Sequence, residues 1–170
     1  MPIDYERLLQ YLNPRWWSNS TITNGTSALV DGAKRDKLIW PGDLGISVPA
    51  VFLSTNDAIT IKWTLEQIFA GQNATGQLPY SPAPLVLYPP LRIAFNETWS
   101  FTYHLYTILG LRNYYIYSND IDYLRANWHR VELALNYSIS TIDQTGLANV
   151  TSSADWLRQG MGGHNIEVRQ

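Results

Sequence analysis

The sequence predicts an all-α fold of helical hairpins joined by long loops, and three observations predict it. Apolar residues recur at helical rather than alternating spacing, good capping residues stand where those periodic stretches begin and end, and the connections are rich in Pro and Gly. At 170 residues, 45% of them apolar, the chain can bury a core, and its length suggests a single domain over residues 1–170.

The clearest helix starts at Ile121. Leu124, Trp128, Val131, Leu135, Ile139 and Ile142 follow at steps of three and four, which sets them on one face, and Ser118, Asn119 and Asp120 are good N-caps ahead of it. A second helix, over 98–117, carries an apolar face through Leu105, Ile108, Leu109 and Tyr115, and the short Ser-Asn-Asp turn makes the pair an antiparallel hairpin. A third runs over 56–70, capped by Asn56 or Asp57 and closed by Gly71. A shorter one, over 44–53, precedes it across Ser54-Thr55, with Pro49 arguing against a straight helix there. Between 71 and 97 the Pro-rich stretch LPYSPAPLVLYPPLR reads as a stiff loop covering a site, with Tyr80 and Tyr88 in a pocket wall. Helical toroids built from hairpins have this organisation.

Composition removes several function classes. A formal net charge of −2 with no run of Lys or Arg lacks the electrostatic footprint of a nucleic-acid binder. No apolar run approaches the roughly 20 residues of a membrane-spanning helix. With no Cys and three His, neither a disulfide framework nor a metal site is expected, and no cofactor is implied. Six Asn-x-Ser/Thr sequons, at Asn19, Asn24, Asn73, Asn96, Asn136 and Asn149, predict a secreted, glycosylated protein. The opening MPIDYERLLQYLN has no apolar core of the length a signal peptide needs, so a secreted form is expected to have its N-terminus upstream.

Charge is concentrated in one place. DGAKRDKLIWPGD, residues 31–43, holds three acids, three bases and a Trp in a chain of which 15% is charged. Asp31, Asp36 and Asp43 lie in a segment punctuated by Gly and Pro, and loops on a helical scaffold are where catalytic groups tend to sit. The same residues also read as a solvated turn before a helix, with Asp43 as its N-cap. A second cluster, ADWLRQGMGGHN at 154–165, sets Asp155 beside Trp156. That pair suits a sugar, because a carboxylate accepts hydroxyl hydrogen bonds while an indole stacks on the ring's C–H face. It reads equally as a buried Trp beside a helix cap, and His164 reads as a structural residue in a Gly-rich turn.

DGAKRDKLIWPGD resembles the signature of the α-L-rhamnosidase family of six-hairpin glycosidases, in which Asp, Arg, an acid and then Trp-x-Gly-Asp open the catalytic domain. LNPRWW at 12–17, GQLPY at 76–80, TYHLYTILGLRNYYIYSND at 102–120 and ADWLRQGMGGHN resemble, in the same order, the secreted fungal-type branch of that family. The resemblance implies about half of an (α/α)6 toroid, truncated on its C-terminal side, from an enzyme that cleaves terminal α-L-rhamnosyl bonds with inversion. Its partner is then a carbohydrate, with no nucleic acid and no membrane. By the same resemblance Asp36 is the general acid, at a position where many members have Glu. Asp31 and Asp43 match acids that bind sugar hydroxyls, Arg35 and Trp40 shape the pocket, and Asp155 and Trp156 match a later sugar-binding pair. The general base is expected downstream, so the isolated chain is expected to hydrolyse nothing at a useful rate. Two alternatives stand beside this reading: a non-catalytic carbohydrate-binding remnant, and a six-hairpin glycosidase acting on another sugar.

Overall fold

The computed structural model describes residues 21–32, 38–82 and 99–150. Among these, the regular structure is four α-helices and no strand: α1 Pro41–Thr55, α2 Ala58–Ala70, α3 Phe101–Ser118 and α4 Ile121–Ser140. An isolated bridge pairs Ile142 with Ala148. The expected all-α class of helical hairpins is what the chain forms.

Both hairpins turn by the same two-residue device. Asn56 and Asn119 close α1 and α3 in the left-handed region, at φ 54° and 55°, which Asn tolerates better than most residues. Asp57 and Asp120 then cap α2 and α4, each side chain accepting the N–H three residues on, from Thr60 and Tyr123. Asp120 does more than cap. Its second oxygen accepts from Lys62 of α2 at 2.9 Å and from the Tyr114 hydroxyl of α3 at 2.8 Å, so one carboxylate joins three helices.

The loops after α2 and α4 also match. In each, an Asn or Asp oxygen (Asn73, Asp143) accepts from the N–H and hydroxyl of the Thr two residues on, and a Gly with positive φ follows, Gly76 at 95° and Gly146 at 78°. Residues 41–76 and 101–146 are therefore two copies of one unit, a helix, an Asn-Asp turn, a second helix and an Asx-Thr-Gly loop.

The copies sit side by side with equivalent helices parallel. On α1 and α3, Gly42 meets Tyr103, Gly45 meets Tyr106, and Phe52 meets Tyr114 and Tyr117, so contacts advance in step along both chains. The approach is close because glycine permits it: a Cβ on Gly42 or Gly45 would lie 2.5 Å from the facing Tyr ring, and one on Gly110 2.8 Å from Leu44. On α2 and α4, Lys62 pairs with Asp120, while Glu66 accepts from Asn127 at 3.1 Å and pairs with Arg130 at 3.7 Å. The core between the layers holds Leu44, Val48 and Phe52 of α1, Ile61, Leu65 and Ile68 of α2, Leu111 and Tyr114 of α3, and Val131 and Ala134 of α4. Burying each large apolar side chain contributes about 1.5–3 kcal/mol.

The segment before α1 runs along α2. Thr60 and Thr64 fix it, the first bonded to the Ser27 hydroxyl at 2.6 Å and the second accepting the Leu29 N–H at 2.7 Å.

Several sequence expectations need correction. Helix α1 begins three residues earlier than 44, with Pro41 at its first position and Trp40 rather than Asp43 as N-cap. Pro49 does not break it. The carbonyl that Pro49 cannot reach, that of Gly45, accepts instead from the Asn113 side chain of α3 at 3.2 Å.

The face of α4 is also rotated. Trp128, Leu135, Ile139 and Ile142 are 46%, 37%, 62% and 42% exposed, and the helix packs through Tyr123, Asn127, Val131 and Ala134. Tyr123, Asn127 and Ala134 each stand one position before a residue of the expected stripe, a rotation of about 100°. On α3, likewise, Leu109 is exposed, and the buried face runs through Phe101, His104, Thr107, Gly110, Leu111 and Tyr114.

Candidate functional site

The first helices of the two hairpins begin at one end of the molecule, and the loops after α2 and α4 return there. Three aromatic side chains meet at that end. Trp40, the N-cap of α1, stands edge-on to Tyr80 with ring centroids 5.2 Å apart and to Tyr103 of α3 at 6.5 Å. Tyr80 and Tyr103 stack on each other at 4.6 Å with a 20° interplanar angle. Tyr80 is buried, while Trp40 and Tyr103 are partly exposed, so the cluster offers aromatic surface at the mouth of the hairpin layer.

Local bonding explains why Tyr80 is there. The Asn73 Oδ1 accepts the Gln77 N–H at 3.0 Å, Gln72 donates to the Gly76 carbonyl at 2.9 Å, and the Leu78 N–H donates to Nδ1 of His104 at 3.0 Å. Beyond Tyr80, the Ser81 hydroxyl donates to the Ile39 carbonyl at 2.8 Å, tying the loop to the strand-like residues that lead into Trp40. Tyr103 in turn has room because Gly42 carries no side chain.

The acidic residues lie beside this wall. Asp43 is in the first turn of α1 and exposed, where a carboxylate is favoured by the helix dipole. Asp31 is doubly bonded to Leu38: its N–H donates to the Leu38 carbonyl and its Oδ1 accepts the Leu38 N–H, both at 3.2 Å. Arg35 and Asp36, between those two residues, lie outside the described residues, as do Asp155, Trp156, His164 and Tyr88. The structure thus brings Asp31, Trp40, Asp43 and Tyr80 to one end. Of the sequons, Asn24, Asn136 and Asn149 present exposed side chains and Asn73 is half-buried, whereas Asn19 and Asn96 lie outside the described residues.

Two residues were missed by sequence reasoning, Tyr103 and His104. Hydrophobic periodicity passed over both, because the buried face of α3 mixes His, Thr and Gly with Phe and Leu. The available signal was the spacing of Phe101, His104, Leu111 and Tyr114, which is helical once His is counted as a core residue. His104 is fully buried, its Nε2 lying 3.1 Å from the Ala134 carbonyl and 2.9 Å from the Ser138 hydroxyl. With Leu78 donating to Nδ1, the ring's single proton is on Nε2. Burial pushes its pKa from 6.5 down to about 4, only partly opposed by the bond to Ala134.

Among the described residues no three His, Cys, Asp or Glu side chains cluster as a metal site, and no helix is long and apolar enough to cross a membrane.

Residues 7–169 match the model of the family described as bacterial alpha-L-rhamnosidase 6 hairpin glycosidase domain. The chain belongs to that family. The two helical hairpins described above agree with part of such a domain. Membership makes the protein's class glycoside hydrolase and its substrate class carbohydrate. Comparison with curated proteins gives no match.

Proposed function

We propose that this protein is an α-L-rhamnosidase that cleaves terminal α-L-rhamnosyl bonds with inversion, and that the wall of Trp40, Tyr80 and Tyr103 faces the sugar. What supports the reading is membership of the six-hairpin family together with the packing of Trp40 against Tyr80 and Tyr103, Trp40 standing two residues after Leu38, to which Asp31 is bonded, and three before Asp43. Aromatic faces suit the C–H surface of a 6-deoxy sugar, and carboxylates accept its hydroxyls. Asp36 acts as general acid on the leaving oxygen. Inversion needs a second carboxylate roughly 6.5–9.5 Å away to activate water on the opposite face. Asp31 and Asp43 accept sugar hydroxyls. Arg35, Asp155 and Trp156 complete the sugar contacts, and the exposed sequons at Asn24, Asn136 and Asn149 support secretion as a glycoprotein.

The experiment uses protein purified from the culture medium of its source, where enzymatic deglycosylation should lower its mass. Hydrolysis of an alkyl α-L-rhamnoside, followed by NMR, should release β-L-rhamnose first. Asp36→Asn should lower kcat by about 10²–10⁴-fold, the range general acid catalysis supplies. First release of the α-anomer would overturn inversion, and hydrolysis of other glycosides with none of rhamnosides would overturn the substrate.

A further inference from the structure

His104 is buried one residue beyond Tyr103 and touches no surface a sugar could reach. Both ring nitrogens are nevertheless committed, Nδ1 to the loop that carries Tyr80 and Nε2 to α4. Leu78 is fully buried, and Tyr80 lies between the two anchors of its segment, the Leu78 bond to His104 and the Ser81 bond to Ile39.

We propose that His104 is a proton-sensitive positioning residue for the aromatic wall: with Nδ1 bare it seats Leu78 and thereby Tyr80 against Tyr103 and Trp40, and a proton on Nδ1 releases that seat. The sugar-facing role of the wall rests on the function proposed above.

The chemistry follows from the donors. Leu78 offers an N–H, so a protonated Nδ1 would set two donors against each other at 3.0 Å. Among the described residues, no contact with the ring supplies a charge that compensates a proton: Phe101 of its own helix stacks on it, Tyr137 of α4 meets it edge-on at 5.1 Å, and Leu78, Ala134 and Ser138 bond to it. Of these, Tyr137 is titratable, and burial raises its phenol, so it stays neutral in acid. His104 also lies in the first turns of α3, where the helix dipole disfavours a cation. Proton uptake and loop release are therefore one event. The depressed pKa of the seated ring agrees with this.

The test is amide exchange at Leu78 in the full chain, expressed as a protection factor so that intrinsic exchange chemistry cancels, with the His104 ring nitrogens followed by NMR. Protection at Leu78 should fall roughly tenfold per pH unit from 6.5 toward 4, as one linked proton requires. In His104→Asn, whose Oδ1 accepts the same N–H without titrating, protection should not vary with pH over this range. Titration of the wild-type ring near 6.5, or pH-independent protection of Leu78 in the wild type, overturns the proposal without reference to any variant. A wild-type slope in His104→Asn overturns it as well. Affinity for L-rhamnose should weaken over the same range. If L-rhamnose fails to bind at every pH, the functional reading fails alone, and exchange still decides the role of His104.

Discussion

Gly76→Ala should destabilise the protein by about 3 kcal/mol or more, whereas Gly146→Ala should cost only about 1 kcal/mol. The two glycines occupy the same place in the repeated unit and both have positive φ, 95° and 78°, so each substitution carries the left-handed backbone penalty. They differ in what a methyl group would meet. At Gly146 nothing lies within 4 Å, while at Gly76 the new Cβ would overlap the carbonyl of Leu133 on α4. A backbone carbonyl inside a helix cannot rotate aside as a side chain can, so the loop or α4 must shift. Either movement strains the bonds from Gln72 to the Gly76 and Arg130 carbonyls, both 2.9 Å. Urea denaturation of the two variants checks this, and equal shifts in midpoint at unchanged m-value would contradict the close packing of the loop on α4.

The second large effect is acid sensitivity. Unfolding free energy should fall by about 3 kcal/mol between pH 7 and pH 4 through His104 alone. In the unfolded chain the ring takes a proton at its ordinary 6.5, and in the folded protein only at about 4. Between those values the unfolded state binds more protons, so stability rises with pH. The contribution is fully present above 6.5, is eroded as pH falls, and is gone by about 4. Asp57 and Asp120 act lower on the scale. The first is held below its ordinary 3.8 chiefly by the Thr60 hydroxyl and the second chiefly by Lys62, so their contributions persist above 3.8 and disappear only as pH drops through their lowered values. Denaturation curves at several pH values should therefore show a slope between 6.5 and 4 that is absent in His104→Asn, followed by a carboxylate-driven decline in both proteins. The same slope in both would assign the acid sensitivity elsewhere.

Most helix positions were legible because caps and breakers are local. Asp57, Gly71 and Asp120 stand where the sequence set them, and the Asn-Asp dipeptide marks both turns. Which face each helix buries was less legible. Helix α4 is apolar on two sides, and periodicity favoured the side with the larger Leu and Ile residues. The packed side instead contains Asn127, whose amide reaches Glu66 and the Tyr123 carbonyl, a compensation visible only in three dimensions. Pro49 misled for the same reason, since its missing donor is offset by a side chain 64 positions away in Asn113.

At the candidate site, Tyr80 was singled out from its Pro-rich segment and Trp40 through the family resemblance, and their rings lie 5.2 Å apart. Tyr103 and His104 were not, because their roles depend on the close approach that Gly42 permits and on a bond from a distant loop.

The sugar is expected at the end of the hairpin layer that carries Trp40. The most direct measurement follows the indole N–H resonances during titration with L-rhamnose, with those of Trp40 and Trp128 assigned through Trp40→Phe and Trp128→Phe. The Trp40 resonance should shift saturably, and that of Trp128, which sits on the exposed stripe of α4, should not. A saturable shift of Trp128 with Trp40 unmoved, or no shift of either in the folded protein, would contradict that placement of the sugar.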